Sequence, residues 1–185
     1  LFAYYDFQRA TLYVLDEYAI KGPELTTPVL ADAIKQKQSE HFGNHRVYKR
    51  VSDNNNPHLL NDLSAGHGLP IVPTDKEYLQ AMVNKVRVWA QNKRIVVHPR
   101  CKHLSGCLAM AIWDGTKGQR VQFGRSASYG HYDALASLIY LIRNVNESTN
   151  PVPTSFGMDP MTHHINDNLL QKQNPLAAFV FGDSK

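Results

Sequence analysis

Cysteine is scarce in this chain: 185 residues carry only Cys101 and Cys107. Their spacing fits no zinc pattern and no second pair exists, which excludes a structural zinc module and a disulfide framework. Two isolated thiols suit a reducing compartment and read as small buried core residues. Long apolar runs are missing too. None approaches the roughly 20 residues that span a bilayer, and no secretory signal pattern occurs. The first residue is Leu1, inside an apolar strand-like run, so further sequence is expected to precede it. No G-x-x-x-x-G-K-[ST] loop is present, so no P-loop motor resides here. Acids are nearly absent from residues 78–132, where Asp114 stands alone against Lys85, Arg87, Lys93, Arg94, Arg100, Lys102, Lys117, Arg120 and Arg125. A net charge of +4 distributed this way suits a polyanion such as nucleic acid. Lys85, Arg87, Arg100, Lys102, Arg120 and Arg125 are the expected phosphate contacts.

What is present is an alternation of strand-like and helix-like segments. Residues 1–7 and 11–18 read as an antiparallel hairpin turning at Asp6. A helix is expected from Thr27 to about Phe42, stopped by Gly43. Residues 46–52 read as a strand that delivers Asp53, followed by a polar Asn54-Asn55-Asn56-Pro57 turn and a short helix over 58–65. Ile71-Val72 suggests a short strand. Thr74-Asp75-Lys76-Glu77 has the pattern of a capping box, opening a helix with Leu79, Met82, Val83, Val86 and Ala90 on its core face. Residues 94–98 read as a buried strand, 101–113 as a helix, 114–118 as a hairpin turn and 119–124 as the returning strand. A helix led by Asp133 carries Leu135, Leu138, Ile139 and Ile142 on one face. After residue 145 periodicity stops, and residues 146–185 read as a partly extended appendage. The order points to an α/β fold, a mixed sheet flanked by helices.

Asp53 and Asp133 carry the chemistry. Carboxylates at a strand end and a helix start can meet at one sheet edge. Hard divalent cations prefer such oxygen ligands, and paired cations can cleave phosphodiesters. Residues 125–145, with Gly-His-Tyr-Asp-Ala-Leu-Ala at 130–136, resemble the C-terminal nuclease domain of the large terminase subunit of tailed bacteriophages. The Tyr13-Val14-Leu15-Asp16-Glu17-Tyr18 strand, the Ser52-Asp53 strand end, and the Lys76 helix followed by Arg94-Ile95-Val96-Val97-His98-Pro99 match in the same order.

The resemblance spans residues 1–145. It implies an RNase H-like fold lacking its first strand in this chain. It implies an endonuclease that cuts concatemeric double-stranded viral DNA during packaging with two divalent ions, Mg²⁺ or Mn²⁺. Three acids hold the metals in that family. Asp53 matches the second and Asp133 the third, and the first stands on a strand ahead of the hairpin. Asp6 and Glu17 are the candidates to stand in for it or neighbour the site. His131 is a candidate metal or phosphate contact, and Lys76 a candidate DNA contact. Implied partners are double-stranded DNA, the terminase ATPase domain, the small terminase subunit and the portal protein. The implied location is the host cytoplasm at the assembling capsid. Two other readings stand beside it: another RNase H-like nuclease such as a resolvase or transposase core, and a non-catalytic module that binds DNA or a packaging partner.

Overall fold

The computed structural model describes residues 1–19, 22, 25–74, 77–111, 113–114, 122–124 and 126–151. The chain divides into two compact units, Leu1–Glu147 and Ser148–Lys185. Only residues 148–151 of the second are described.

The first unit is mixed α/β. Strand β1 (Phe2–Asp6) pairs antiparallel with β2 (Thr11–Asp16). The turn between them is held by Asp6, whose Oδ1 accepts from the amides of Gln8 and Arg9 at 2.9 and 3.0 Å. Strand β2 is buried on both faces, Leu12 and Val14 on one and Thr11 and Tyr13 on the other, as suits a central strand. Strand β5 (Ile95–Val97) lies parallel to β2, in register from Leu12↔Ile95 to Val14↔Val97. The sheet order is β1-β2-β5.

Two smaller sheets accompany it. Strand β3 (Val51–Ser52) runs parallel to β4 (Val72–Pro73). Strands β6 (Trp113–Asp114) and β7 (Gln122–Phe123) form an antiparallel pair.

Helices supply the other layer. Helix α1 (Thr27–Phe42) ends at Gly43, whose φ of 55° suits a residue without Cβ. Helix α2 (Pro57–Asn61) is capped by Asn56, whose side chain accepts from the Leu59 amide, and a π turn follows at Asp62–Gly66. Helices α3 (Leu79–Gln91), α4 (Lys102–Met110) and α5 (Asp133–Asn144) present Val83, Val86, Trp89, Leu104, Cys107, Leu138 and Ile142 to Leu12 and Val14. Each fully buried Leu or Ile contributes about 1.5–3 kcal/mol. Ala31, Leu63 and Leu69 form a separate small core under α1. No described helix is long and apolar enough to cross a membrane.

Three expectations need correction. The capping box does not open α3: Tyr78 takes a left-handed conformation (φ 56°, ψ 39°), so the helix starts at Leu79. Thr74 Oγ1 instead accepts from Asn144 Nδ2 at 2.9 Å. The strand expected over 46–52 contracts to Val51–Ser52, where β4 offers a partner ladder. Helix α4 stops at Met110 rather than 113, because Trp113 pairs with Phe123 across the hairpin.

Candidate functional site

Asp133 is placed by the chain just before it. Gly130 (φ 60°) and Tyr132 (φ 58°, ψ 44°) both lie in the left-handed region, which makes a sharp entry into α5. For a tyrosine that geometry is unfavourable, so surrounding contacts must hold it. They do. The Tyr132 ring is 2% exposed and its hydroxyl donates to the Met110 carbonyl at 2.9 Å. Ser126 and Gly130 exchange amide–carbonyl bonds of 2.9 and 2.8 Å, closing the preceding turn. Tyr129 lies on α4 over Gly106, where a methyl group would collide with its ring. Asp133 thus begins α5 as an exposed carboxylate on a fixed turn. The helix N-terminus favours its charge.

Asp53 follows β3 and is half-buried. Its Oδ1 accepts from the Asn55 amide at 3.1 Å and its Oδ2 from Asn55 Nδ2 at 2.8 Å. This Asx turn fixes the carboxylate. Helix α5 packs on β3. Tyr140, two turns beyond Asp133, feels both carboxylates: burial first, then Asp53 and Asp133, raise its phenol pKa. The two acids singled out in the sequence thus belong to two elements that pack on each other, β3 and α5.

No family model, curated protein or solved structure matches this chain. The site therefore rests on its own geometry.

The other candidates part ways. Glu17 caps α4: its Oε1 accepts from the His103 amide at 2.6 Å and its Oε2 from the Leu104 amide at 2.8 Å. A carboxylate there satisfies orphan helix donors and the helix dipole, which is a structural employment. Asp6 is occupied by its turn and by Arg9 at 3.6 Å. His131 is exposed on the turn ahead of Asp133. Lys85 bonds Glu147 at 3.1 Å and lies over the Trp89 ring at 5.1 Å, so its charge is engaged within the fold. Arg87 and Lys102 are exposed, on α3 and at the first position of α4. Arg100 Nε donates to His98 Nδ1 at 3.1 Å, and its guanidinium lies 3.9 Å from Asp16. Lys76, Arg120 and Arg125 fall outside the described residues.

Sequence reasoning missed Asp16. It ends β2 beyond a register shift: Ala3 pairs with Val14 but Phe2 with Asp16, so Asp16 lies on the Phe2 face of the sheet, opposite Val14, and is 5% exposed. Lys37 Nζ and His41 Nε2 each approach its Oδ2 to 2.8 Å, and its Oδ1 accepts from the Glu17 amide. Burial pushes this carboxyl up, but the Lys37 and His41 bonds outweigh it and hold the pKa at about 2. Asp16, Glu40 and His41 bring one ligand atom each within 4.8 Å of one another and could hold a metal ion; among the described residues they form the one such group. In the structure Lys37 Nζ stands 2.8 Å from Asp16 and 3.3 Å from Glu40, the position a cation takes between two carboxylates. The cluster is thereby neutralised by the protein's own ammonium, and it pins α1 to the central strand. No local signal in the sequence announced it: plain alternation would carry Asp16 to the Val14 face, and the register shift between Phe2 and Ala3 turns it to the other.

Proposed function

We propose that residues 1–147 act as the nuclease portion of a DNA-packaging enzyme of the large-terminase kind, with an RNase H-like ancestry for its mixed sheet. The observation supporting this is that helix α5, which Asp133 opens, packs on β3, which Asp53 follows. Both are carboxylate oxygen ligands, a kind that suits Mg²⁺ or Mn²⁺. Such ions, when bound, activate water and stabilise the leaving oxygen of a phosphodiester. The chain's own part is positional. The Asx turn orients Asp53, and the left-handed Tyr132 turn orients Asp133 at the start of α5. Exposed Arg87, Arg100 and Lys102 contribute phosphate attraction.

The resemblance implies a third carboxylate, and the described acids near this region have other work. Glu17 caps a helix, Asp6 holds a turn and Asp16 is paired with Lys37. That observation favours a second reading, in which the chain binds DNA or a packaging partner without cutting. In the leading reading none of these three serves as that ligand. The substrate is double-stranded viral DNA, two divalent ions serve the site, and the ATPase domain, small subunit and portal are partners at the host's assembling capsid.

The test is metal-dependent nicking of supercoiled plasmid by the protein. Asp53→Ala and Asp133→Ala should each abolish nicking. Full activity in both refutes the site, and DNA binding with no nicking by the unmutated chain supports the binding module. Preference for branched over plain duplex DNA would favour a resolvase-like enzyme.

A further inference from the structure

A second set of metal-ligating side chains lies where the end of β2 meets the last turn of α1. Asp16 Oδ2 and His41 Nε2 are 2.8 Å apart. Glu40 brings a carboxylate oxygen to them, and the three ligand atoms lie within 4.8 Å of one another. Ligand atoms around a four-coordinate ion stand about 3.3 Å apart, so a small closure completes the set. Glu40, 43% exposed, has the room to make it. The helix supplies its half of the cluster by spacing: Lys37, Glu40 and His41 lie three and four positions apart on one face. The Asp16 half is held from behind, because Oδ1 accepts from the Glu17 amide at 2.9 Å and leaves Oδ2 to the cluster. The Phe2 ring packs against the His41 ring, with centroids 6.2 Å apart.

The place between these ligands already holds a cation. Lys37 Nζ stands 2.8 Å from Asp16 and 3.3 Å from Glu40. Its stem is flexible and 27% exposed, so the ammonium can swing out to water. A second observation points to a ligand. His98 is 8% exposed, and among the described residues its Nε2 has no hydrogen-bond partner. Val97 joins the core beside Val14, so alternation turns His98 to the Asp16 face of the sheet. His98 Nδ1 accepts from Arg100 Nε at 3.1 Å, and the same guanidinium reaches Asp16 Oδ2 at 3.9 Å. With Nδ1 accepting, the ring proton stands on Nε2. A buried donor without an acceptor calls for a polar guest. Three protein ligands leave an ion one position for water, and that water is an acceptor.

We propose that Asp16, Glu40 and His41 form a Zn²⁺ site in which the ion displaces Lys37 and ties α1 to the end of β2. One imidazole nitrogen with two carboxylate oxygens suits zinc better than Mg²⁺, which takes oxygen ligands and keeps its waters. None of the three ligands belongs to the nuclease site, so the proposal stands or falls apart from that reading. The test is calorimetric titration of the metal-free protein with Zn²⁺ alone. Glu40→Gln and His41→Gln should each weaken binding about tenfold or more, since losing a ligand costs at least what losing a partner of a ligand does. Lys37→Met should bind about fivefold more tightly, because no ion pair has to be broken first. Asp133→Asn should bind as wild type does. Co²⁺ should give wild type a visible absorption band that His41→Gln lacks. Unchanged affinity in both Glu40→Gln and His41→Gln would place the ion on other histidines and overturn the site. A Lys37→Met affinity no higher than wild type would overturn the displacement. Loss of binding in Asp133→Asn would assign the ion to the other carboxylates and overturn the proposal, and so would the absence of Zn²⁺ binding by wild type.

Discussion

Replacing Asp16 by Asn tests whether the charge network at the end of β2 holds α1 in place. The variant keeps the side chain's shape and removes its charge. In the native chain the Asp16 carboxyl sits at about 2 against an ordinary 3.8, with Lys37 and His41 on one oxygen. The group is only 5% exposed, so solvent screens the network little. That lowering corresponds to about 2 kcal/mol of stability at neutral pH. The folded value lies below the unfolded one. The stabilisation is therefore complete above about pH 4 and is lost as the pH falls through about 2.

Urea unfolding of wild type and Asp16→Asn at several pH values measures this. At pH 7 the variant should lose about 2 kcal/mol, a midpoint shift of roughly 1 M. At pH 3 the gap should be about half as large, and near pH 2 only a few tenths of a kcal/mol should remain. Other carboxylates titrate in both proteins, so the difference between them carries the signal. A gap that is the same at pH 7 and pH 2.5 would mean that Asp16 acts through shape. A gap under about 0.5 kcal/mol at pH 7 would mean that the ion pairs contribute no more than exposed ones do. Either result refutes the reasoning.

The remaining predictions concern the core and the turn into α5. Leu138 is fully buried, so Leu138→Ala should cost about 2–5 kcal/mol by calorimetry, while Val88→Ala, at an exposed position, should stay within about 0.5 kcal/mol. At position 132 the usual order of Ala over Gly should invert: both substitutions lose the ring, but φ 58° suits only glycine, so Tyr132→Gly should be about 1 kcal/mol more stable than Tyr132→Ala in the same urea experiment. Burial, then Glu17 and Asp16, push the Cys101 thiol up to about 11, and burial raises Cys107; both should resist a thiol reagent at pH 8 in the native protein and react on unfolding.

Local pattern was legible where local forces decide. The hairpin, α1 with its Gly43 stop and α5 with Asp133 at its first position follow from alternation, helical spacing and end signals. It failed where a distant residue outbids a near one. Thr74 has a capping partner three residues away by sequence, yet its hydroxyl goes to Asn144, 70 residues on. Trp113 could extend α4 but pairs with Phe123 instead. Nothing in a Gly-His-Tyr-Asp string announces a left-handed tyrosine, because that conformation is unfavourable alone and exists only under the clamp of Met110 and Phe123. The Asp16 network joins residues 21 and 25 positions apart, and Asp16 reaches that side of the sheet through the register shift beside Phe2, which no local pattern announces.

The left-handed turn explains why the site and the core meet on one helix. A strained residue persists only where its surroundings over-determine it. Tyr132 is over-determined by the core: its ring is buried among the residues that α5 and α4 share, and its hydroxyl closes the end of α4. The same residue sets the direction from which α5 departs, and so the place of Asp133. At the other end Asn144 ties α5 to the residues flanking β3 and β4, and so to the neighbourhood of Asp53. One rigid helix is therefore clamped at both ends by contacts that also locate the two carboxylates. Loosening the core should then disturb their spacing before it unfolds the chain. A site built on loops alone would show the opposite order, losing geometry without any change in the stability of α5.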